Sequence, residues 1–416
     1  MNTQKYYFQC SNCVKTYQKD EVQYLCPECD ATNDDKHPPK GVLKTIYQYD
    51  QIIEKHGKKD LFKSLLKQGF IDLLPILSLQ SKGYLRVGNT PLYKIDKLQD
   101  EELDFTLLLK DDAQNPTASF KDRASILVSA FAKENNIDTI AAASTGNAGS
   151  SLAGICASQQ QRAIIFVPST APLAKLTQIV MYGATIIPVD GNYDAAFDLS
   201  IQASKYFGWY NRNTAYNPFT IEGKKTVSFE IFSQINEQIP DKIFISVGDG
   251  VIISGVYKGF EDLLELGIID KMPVIVAVQA EGSRNLIENI NKNDWKTIPS
   301  TTIADSISVD IPRNFYMAKN YLLKYHGEWL TVSDDEIMQA SAILSRNTGI
   351  FSEPAATAAF AGMLKYKNNH QLEKTSKNVV LLTGSGLKDL RSVAALVHIP
   401  TAIPANMEAV CKLMGA

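Results

Sequence analysis

In Asn115-Pro-Thr-Ala-Ser-Phe-Lys-Asp-Arg123, a lysine follows a phenylalanine at the mouth of a helix. Ile126, Leu127, Ala130 and Phe131 recur at helical spacing, and Pro116, Thr117 and Ser119 before them are loop and cap residues. Lys121 is therefore expected at a helix N-terminus. The positive end of the helix dipole and partial desolvation lower an amine pKa there. Such an amine can form a Schiff base with an aldehyde. Taken alone, the segment also fits a charged surface turn.

A second chemistry is written in the cysteines. Cys10-x-x-Cys13 and Cys26-x-x-Cys29 are two knuckles of the spacing that gives four thiolates to a tetrahedral zinc. The short polar sequence between them suits a small ribbon that builds no core of its own. No His-Glu pair stands beside it, so its role is structural, and His37 lies outside the knuckles. Cys156 and Cys411 read as buried or incidental thiols.

Three glycine-bearing loops follow apolar runs, and each also fits a plain turn. Ser144-Thr-Gly-Asn-Ala-Gly149 offers the Asn147 amide to a hydroxyl or carboxylate. Gly248-Asp-Gly-Val-Ile252 precedes a helix, and its backbone amides suit a phosphate. It lacks the third glycine of a dinucleotide fingerprint, and no Gly-Lys-Ser/Thr completes a nucleotide loop. Thr383-Gly-Ser-Gly386 sets a hydroxyl at a strand end. An aldehyde for Lys121, a ring hydroxyl for Asn147, a phosphate for residues 248–252 and a ring nitrogen for Thr383 together describe pyridoxal 5'-phosphate.

The elements that must position these loops alternate. Strands at Thr139–Thr145, Arg162–Val167 and Ala184–Val189 are separated by helices, and a second series runs through Lys242–Val247, Met272–Gln279 and Asn378–Leu382. Such alternation predicts parallel sheets with ligands beyond their carboxyl ends. The expected fold is α/β: two doubly wound domains with a cofactor cleft between them, plus a small N-terminal four-cysteine ribbon. The expected divisions are 1–35 for the ribbon, 36–120 with 215–416 for the large domain and 121–214 for the small one. Residues 211–220 read as a hinge. The 416 residues are 45% hydrophobic and 21% charged with net charge -3, which gives no basis for nucleic-acid or membrane binding. No apolar run reaches spanning length and the start lacks a signal-peptide core, so a cytoplasmic protein is expected.

The motifs Pro116-Thr-Ala-Ser-Phe-Lys-Asp-Arg123, Ala143-Ser-Thr-Gly-Asn147, Asn217-Pro-x-x-x-Glu-Gly-x-Lys-Thr226 and Thr383-Gly-Ser-Gly-Leu-Lys-Asp389 resemble the threonine synthase family of the tryptophan-synthase-β fold group. The resemblance implies that Lys121 holds the cofactor and serves as acid and base. It puts Phe120 near the cofactor ring, Asn147 at the 3'-hydroxyl, and Gly248, Asp249, Gly250, Val251 and Ile252 at the phosphate. Thr383 meets the pyridine nitrogen, and Ser144, Thr145 and Gly146 receive the substrate carboxylate. The implied reaction turns O-phosphohomoserine and water into threonine and phosphate. One departure stands out: Thr220 occupies the place of an arginine that would clamp the substrate phosphate. Lys225, or Lys224, is the expected substitute. The alternatives are a related β-elimination or β-replacement enzyme, such as a cysteate synthase using O-phosphoserine or a serine/threonine dehydratase, and a binding module without catalysis. A small phosphorylated amino acid is the expected partner, zinc the expected metal and a homodimer the expected assembly.

Overall fold

The computed structural model describes residues 4–415. It begins with a three-stranded antiparallel sheet in the order β2-β1-β3, made of β1 (Tyr6–Cys10), β2 (Thr16–Tyr17) and β3 (Leu43–Tyr47). This sheet takes its third strand from beyond residue 35, where the ribbon was expected to end. The reason is that β1 and β3 bury alternate residues, such as Phe8 and Leu43, against the body. Without β3, one edge of β1 would be left open.

β4 (Leu92–Leu98) and β5 (Glu101–Asp111) form an antiparallel pair. The chain then builds a four-stranded sheet from β6 (Thr139–Ala143), β7 (Arg162–Pro168), β8 (Thr185–Val189) and β9 (Tyr210–Asn211). Its order is β8-β7-β6-β9 and every pair is parallel. β10 (Lys242–Ser246), β11 (Val274–Ala280), β12 (Glu328–Val332) and β13 (Lys377–Leu382) join β5 and β4 in a six-stranded sheet. Its order is β12-β11-β10-β13-β5-β4, parallel except at the β4 edge.

The strand period of two decides the packing. Ile243 and Ile245 of β10 share one core with Val256 and Phe260 of the helix Val251–Glu265. Phe244 points the other way, into a core with Ala359 and Met363 of the helix Pro354–Asn368. With both faces covered, the strand reads as one continuous apolar run. The carboxyl ends of β6, β10 and β13 lead directly into the loops at 144–147, 247–250 and 383–385. Strand direction therefore gathers segments that lie more than a hundred residues apart. No helix among the described residues is long and apolar enough to cross a membrane.

Candidate active site

Lys121 immediately precedes the helix Asp122–Glu134. Its loop is tied at both ends. The backbone N–H and hydroxyl of Thr117 donate to Asp122, at 2.7 and 2.5 Å. The Phe120 N–H donates to the Thr383 carbonyl at 2.8 Å, and the Ser385 N–H donates to the Ala118 carbonyl at 3.1 Å. These bonds fix the lysine loop against the 383–385 loop and turn Lys121 into a cavity of about 480 Å³. Burial lowers the Lys121 amine below its ordinary pKa; Glu353 and Asp249 oppose the shift, and Arg212 adds to it.

The loop after β6 contributes Ser144, Thr145 and Gly146 to the same cavity, and Asn147 opens the helix Asn147–Gln159. The Asn147 Nδ2 donates to Glu353 at 2.8 and 3.1 Å. Glu353 is buried, and burial raises its pKa against the pull of that bond and of Lys121. It stands one residue before Pro354, which occupies the first turn of its helix. Nothing local in the sequence marks this carboxylate as part of the site.

Gly248, Asp249, Gly250, Val251 and Ile252 all line the cavity. Gly250 has φ +82°, a left-handed conformation that a side chain strains, and it caps the helix Val251–Glu265. A Cβ on Gly248 would lie 2.9 Å from the Ile307 Cα. The turn thus offers a bare run of backbone N–H groups at a helix N-terminus, a fit for a phosphate. The Asp249 carboxylate accepts from the Arg313 N–H at 3.0 Å, which ties the turn to the 313 loop.

Of the other expected residues, Phe120 and Lys225 sit away from the cavity. Phe120 is fully buried, absent from the cavity wall, with its ring 5.6 Å from the Arg123 guanidinium; the core has taken it. Thr383 lies beside the lysine loop, its carbonyl accepting from the Phe120 N–H, and its side chain is not fully buried. Lys225 faces away from the cavity. Its Nζ pairs with Glu222 at 2.5 Å and Asp262 at 2.6 Å, and lies 4.1 Å from the Tyr47 ring. The preceding Lys224, a step of about 100° around the helix Phe219–Lys224, points into the cavity instead. Thr220 is buried off the wall, its hydroxyl donating to the Asn217 carbonyl at 2.8 Å.

Arg212 and Thr214 also line the cavity and were not expected. They belong to the segment read as a hinge. The structure packs that segment inside: Asn217 Nδ2 donates to the Asn211 carbonyl at 2.8 Å, and Asn213 Nδ2 to Ser200 Oγ at 2.7 Å. Polar composition there serves buried hydrogen bonds rather than solvent.

The four N-terminal cysteines converge, with all sulfurs within 4.8 Å of one another. Cys10 to Cys29 and Cys13 to Cys26 are each 3.7 Å apart. That is too long for a disulfide and close to the ~3.8 Å edge of a tetrahedron with ~2.3 Å zinc–sulfur bonds.

The family described as pyridoxal-phosphate dependent enzyme matches residues 84–384. The chain is 34% identical to a threonine synthase of Methanocaldococcus jannaschii over 410 residues, 97% of this chain and 98% of the relative. It is 33% identical to a threonine synthase of Methanosarcina acetivorans, with the same coverage. The processed form of threonine deaminase isoform 2 from Solanum lycopersicum has a TM-score of 0.63 at 20% identity, covering 85% of this chain and 93% of that one; the likeness is one of fold.

Proposed function

The chain belongs to the pyridoxal-phosphate-dependent enzyme family, and from that premise we propose that it is a threonine synthase, converting O-phosphohomoserine and water into L-threonine and phosphate. The near full-length identity to threonine synthases carries this reading. The convergence of Lys121, the 144–147 loop and the 248–252 turn on one cavity supports it.

Bound pyridoxal phosphate supplies an aldehyde for an amine and an electron sink that acidifies the substrate's Cα–H. The turn from Gly248 to Ile252 would hold its phosphate and Asn147 its ring hydroxyl, with Thr383 assigned to the pyridine nitrogen. Phe120 acts from behind, by packing the lysine loop. Lys121 would take the Cα proton, give it up, and then take a proton from Cβ. As phosphate leaves Cγ, water adds its hydroxyl at Cβ and its other proton goes to the phosphate. One proton is delivered to Cγ and one back to Cα. Burial favours the neutral form of the Lys121 amine, the form that accepts a proton. Ser144, Thr145 and Gly146 receive the substrate carboxylate on hydroxyl and backbone donors. Glu353 keeps the Asn147 amide in place by accepting from its Nδ2.

The test is a substrate panel with product identification. Phosphate and threonine from O-phosphohomoserine are expected. Inactivity there, with turnover of O-phosphoserine and a nucleophile, would move the protein to the β-replacement enzymes, the reading that Thr220 favours. Zinc is assigned to Cys10, Cys13, Cys26 and Cys29, as a structural ion. The enzyme is assigned to the cytoplasm, as a homodimer.

A further inference from the structure

We propose that Arg212 and Lys224 form a second anion subsite in the cleft, distinct from the 248–252 turn, and that it takes the phosphoryl dianion of the substrate. This rests on the reading of the substrate as a phosphorylated amino acid. Such a substrate brings a second phosphate into a cleft whose glycine turn suits only one.

Both side chains line the cavity and both are 1% exposed. Neither the Arg212 Nη2 nor the Lys224 Nζ has a hydrogen-bond partner among the described residues. Buried cations are rarely left so, because desolvation is costly without a counter-charge. Arg212 is anchored from behind: its backbone N–H donates to the Ala141 carbonyl at 2.8 Å and its Nε to Ser125 Oγ at 3.2 Å. The free edge of the guanidinium remains for a ligand. Thr214, on the same wall, adds a hydroxyl. Arg212 follows β9 on the small sheet, while Lys224 ends a helix packed against Gly255 of the large domain. An anion between them would bridge the two halves.

The other cations are already committed. Lys121 is needed for the aldehyde. Arg313 pairs with Asp194 and stacks on Phe197 at 4.3 Å. Lys225 is neutralised elsewhere. Two unpaired cations match a dianion better than the single charge of a carboxylate. Burial pushes Arg212 down to about 10 and holds Lys224 well below its usual value, with Arg212 and Lys121 adding to the latter. A dianion between them would relieve that repulsion.

The experiment uses full-length, cofactor-loaded Arg212→Gln and Lys224→Gln, with Arg212→Lys as the conservative control. Cofactor content is read from visible absorbance, folding from circular dichroism and inorganic phosphate binding from calorimetry. KM and kcat are measured with O-phosphohomoserine. Each Gln variant is expected to keep its cofactor and to lose inorganic phosphate affinity by ~10-fold or more, with KM raised by a like factor. The Lys control should recover part of both. Unchanged phosphate affinity and KM in folded, loaded variants would overturn the proposal. So would loss of the cofactor itself, which would assign the pair to the cofactor's phosphate. Wild-type protein that binds no inorganic phosphate would also overturn it. A wild type inactive on O-phosphohomoserine would reject the functional reading, while the phosphate affinities still decide the subsite.

Discussion

Lys224 and Lys225 are neighbours in sequence with opposite surroundings. One is buried with no hydrogen-bond partner among the described residues, the other between two carboxylates. Sequence shows two lysines and no reason to separate them; only the helix phase against the cleft does so. Glu353 and Arg212 were hidden for a similar reason, because each acquires its place through long-range packing. Lys121 and the loops at 144–147 and 248–252 were legible because each couples a residue type to a turn that needs it. A buried lysine with no hydrogen-bond partner, opposed only in part by Asp249, weakens the free protein. Lys224→Met is therefore expected to stabilise the protein by about 1–3 kcal/mol in the absence of substrate. Its folded pKa lies below the ordinary 10.5, so the unfolded chain holds more protons between the two values. Stability of the wild type then rises with pH through that window, and the gain from Lys224→Met should be larger near about pH 6 than near about pH 9. Thermal unfolding at both pH values checks this; a loss of stability, or the reverse pH trend, would contradict it.

At the scale of elements, the ribbon is joined to the helices that frame the cleft. Tyr47 of β3 donates to Glu222 at 2.7 Å, and Lys44 of β3 pairs with Glu261 at 2.5 Å. Glu222 lies on the helix that presents Lys224, and Glu261 on the helix that begins at the phosphate turn. The cysteine spacing foretold the cluster, but nothing near it foretold β3, whose partner strand lies more than thirty residues upstream. Loss of the metal should therefore loosen this support as well as the ribbon. Cys26→Ser is expected to lose about one zinc per chain. Its melting temperature should fall, since metal-binding energy in such a site is folding energy. Equal zinc in both proteins, by elemental analysis, would reject the four-thiolate site. Other elements were missed where their signals were short. The helix Asp334–Thr348 starts on a Ser333 and Glu336 capping box, a four-residue signal that the sequence reading did not use. β4 and β12 are sheet edges of mixed polarity, without the apolar run that marked the central strands.

Across the whole molecule, the two sheets face one cleft and are held over it by pairs such as Lys175 with Asp305, at 2.7 Å, and Arg313 with Asp194. Alternation of strands and helices made this architecture legible, since parallel sheets require crossovers. The cleft's contents were legible only in part, because which walls meet is settled by packing. In the resulting arrangement Lys121 is the amine that the lysine loop, the 383–385 loop and the cavity together position. Lys121→Ala is accordingly expected to lose the visible band of the bound cofactor. The most direct test is borohydride reduction of the loaded wild-type enzyme, followed by digestion and mass spectrometry. The cofactor's mass is expected on the peptide containing Lys121 and on no other lysine. A reduced cofactor attached to Lys224 or another lysine, or an unlabelled Lys121 peptide from yellow protein, would contradict it.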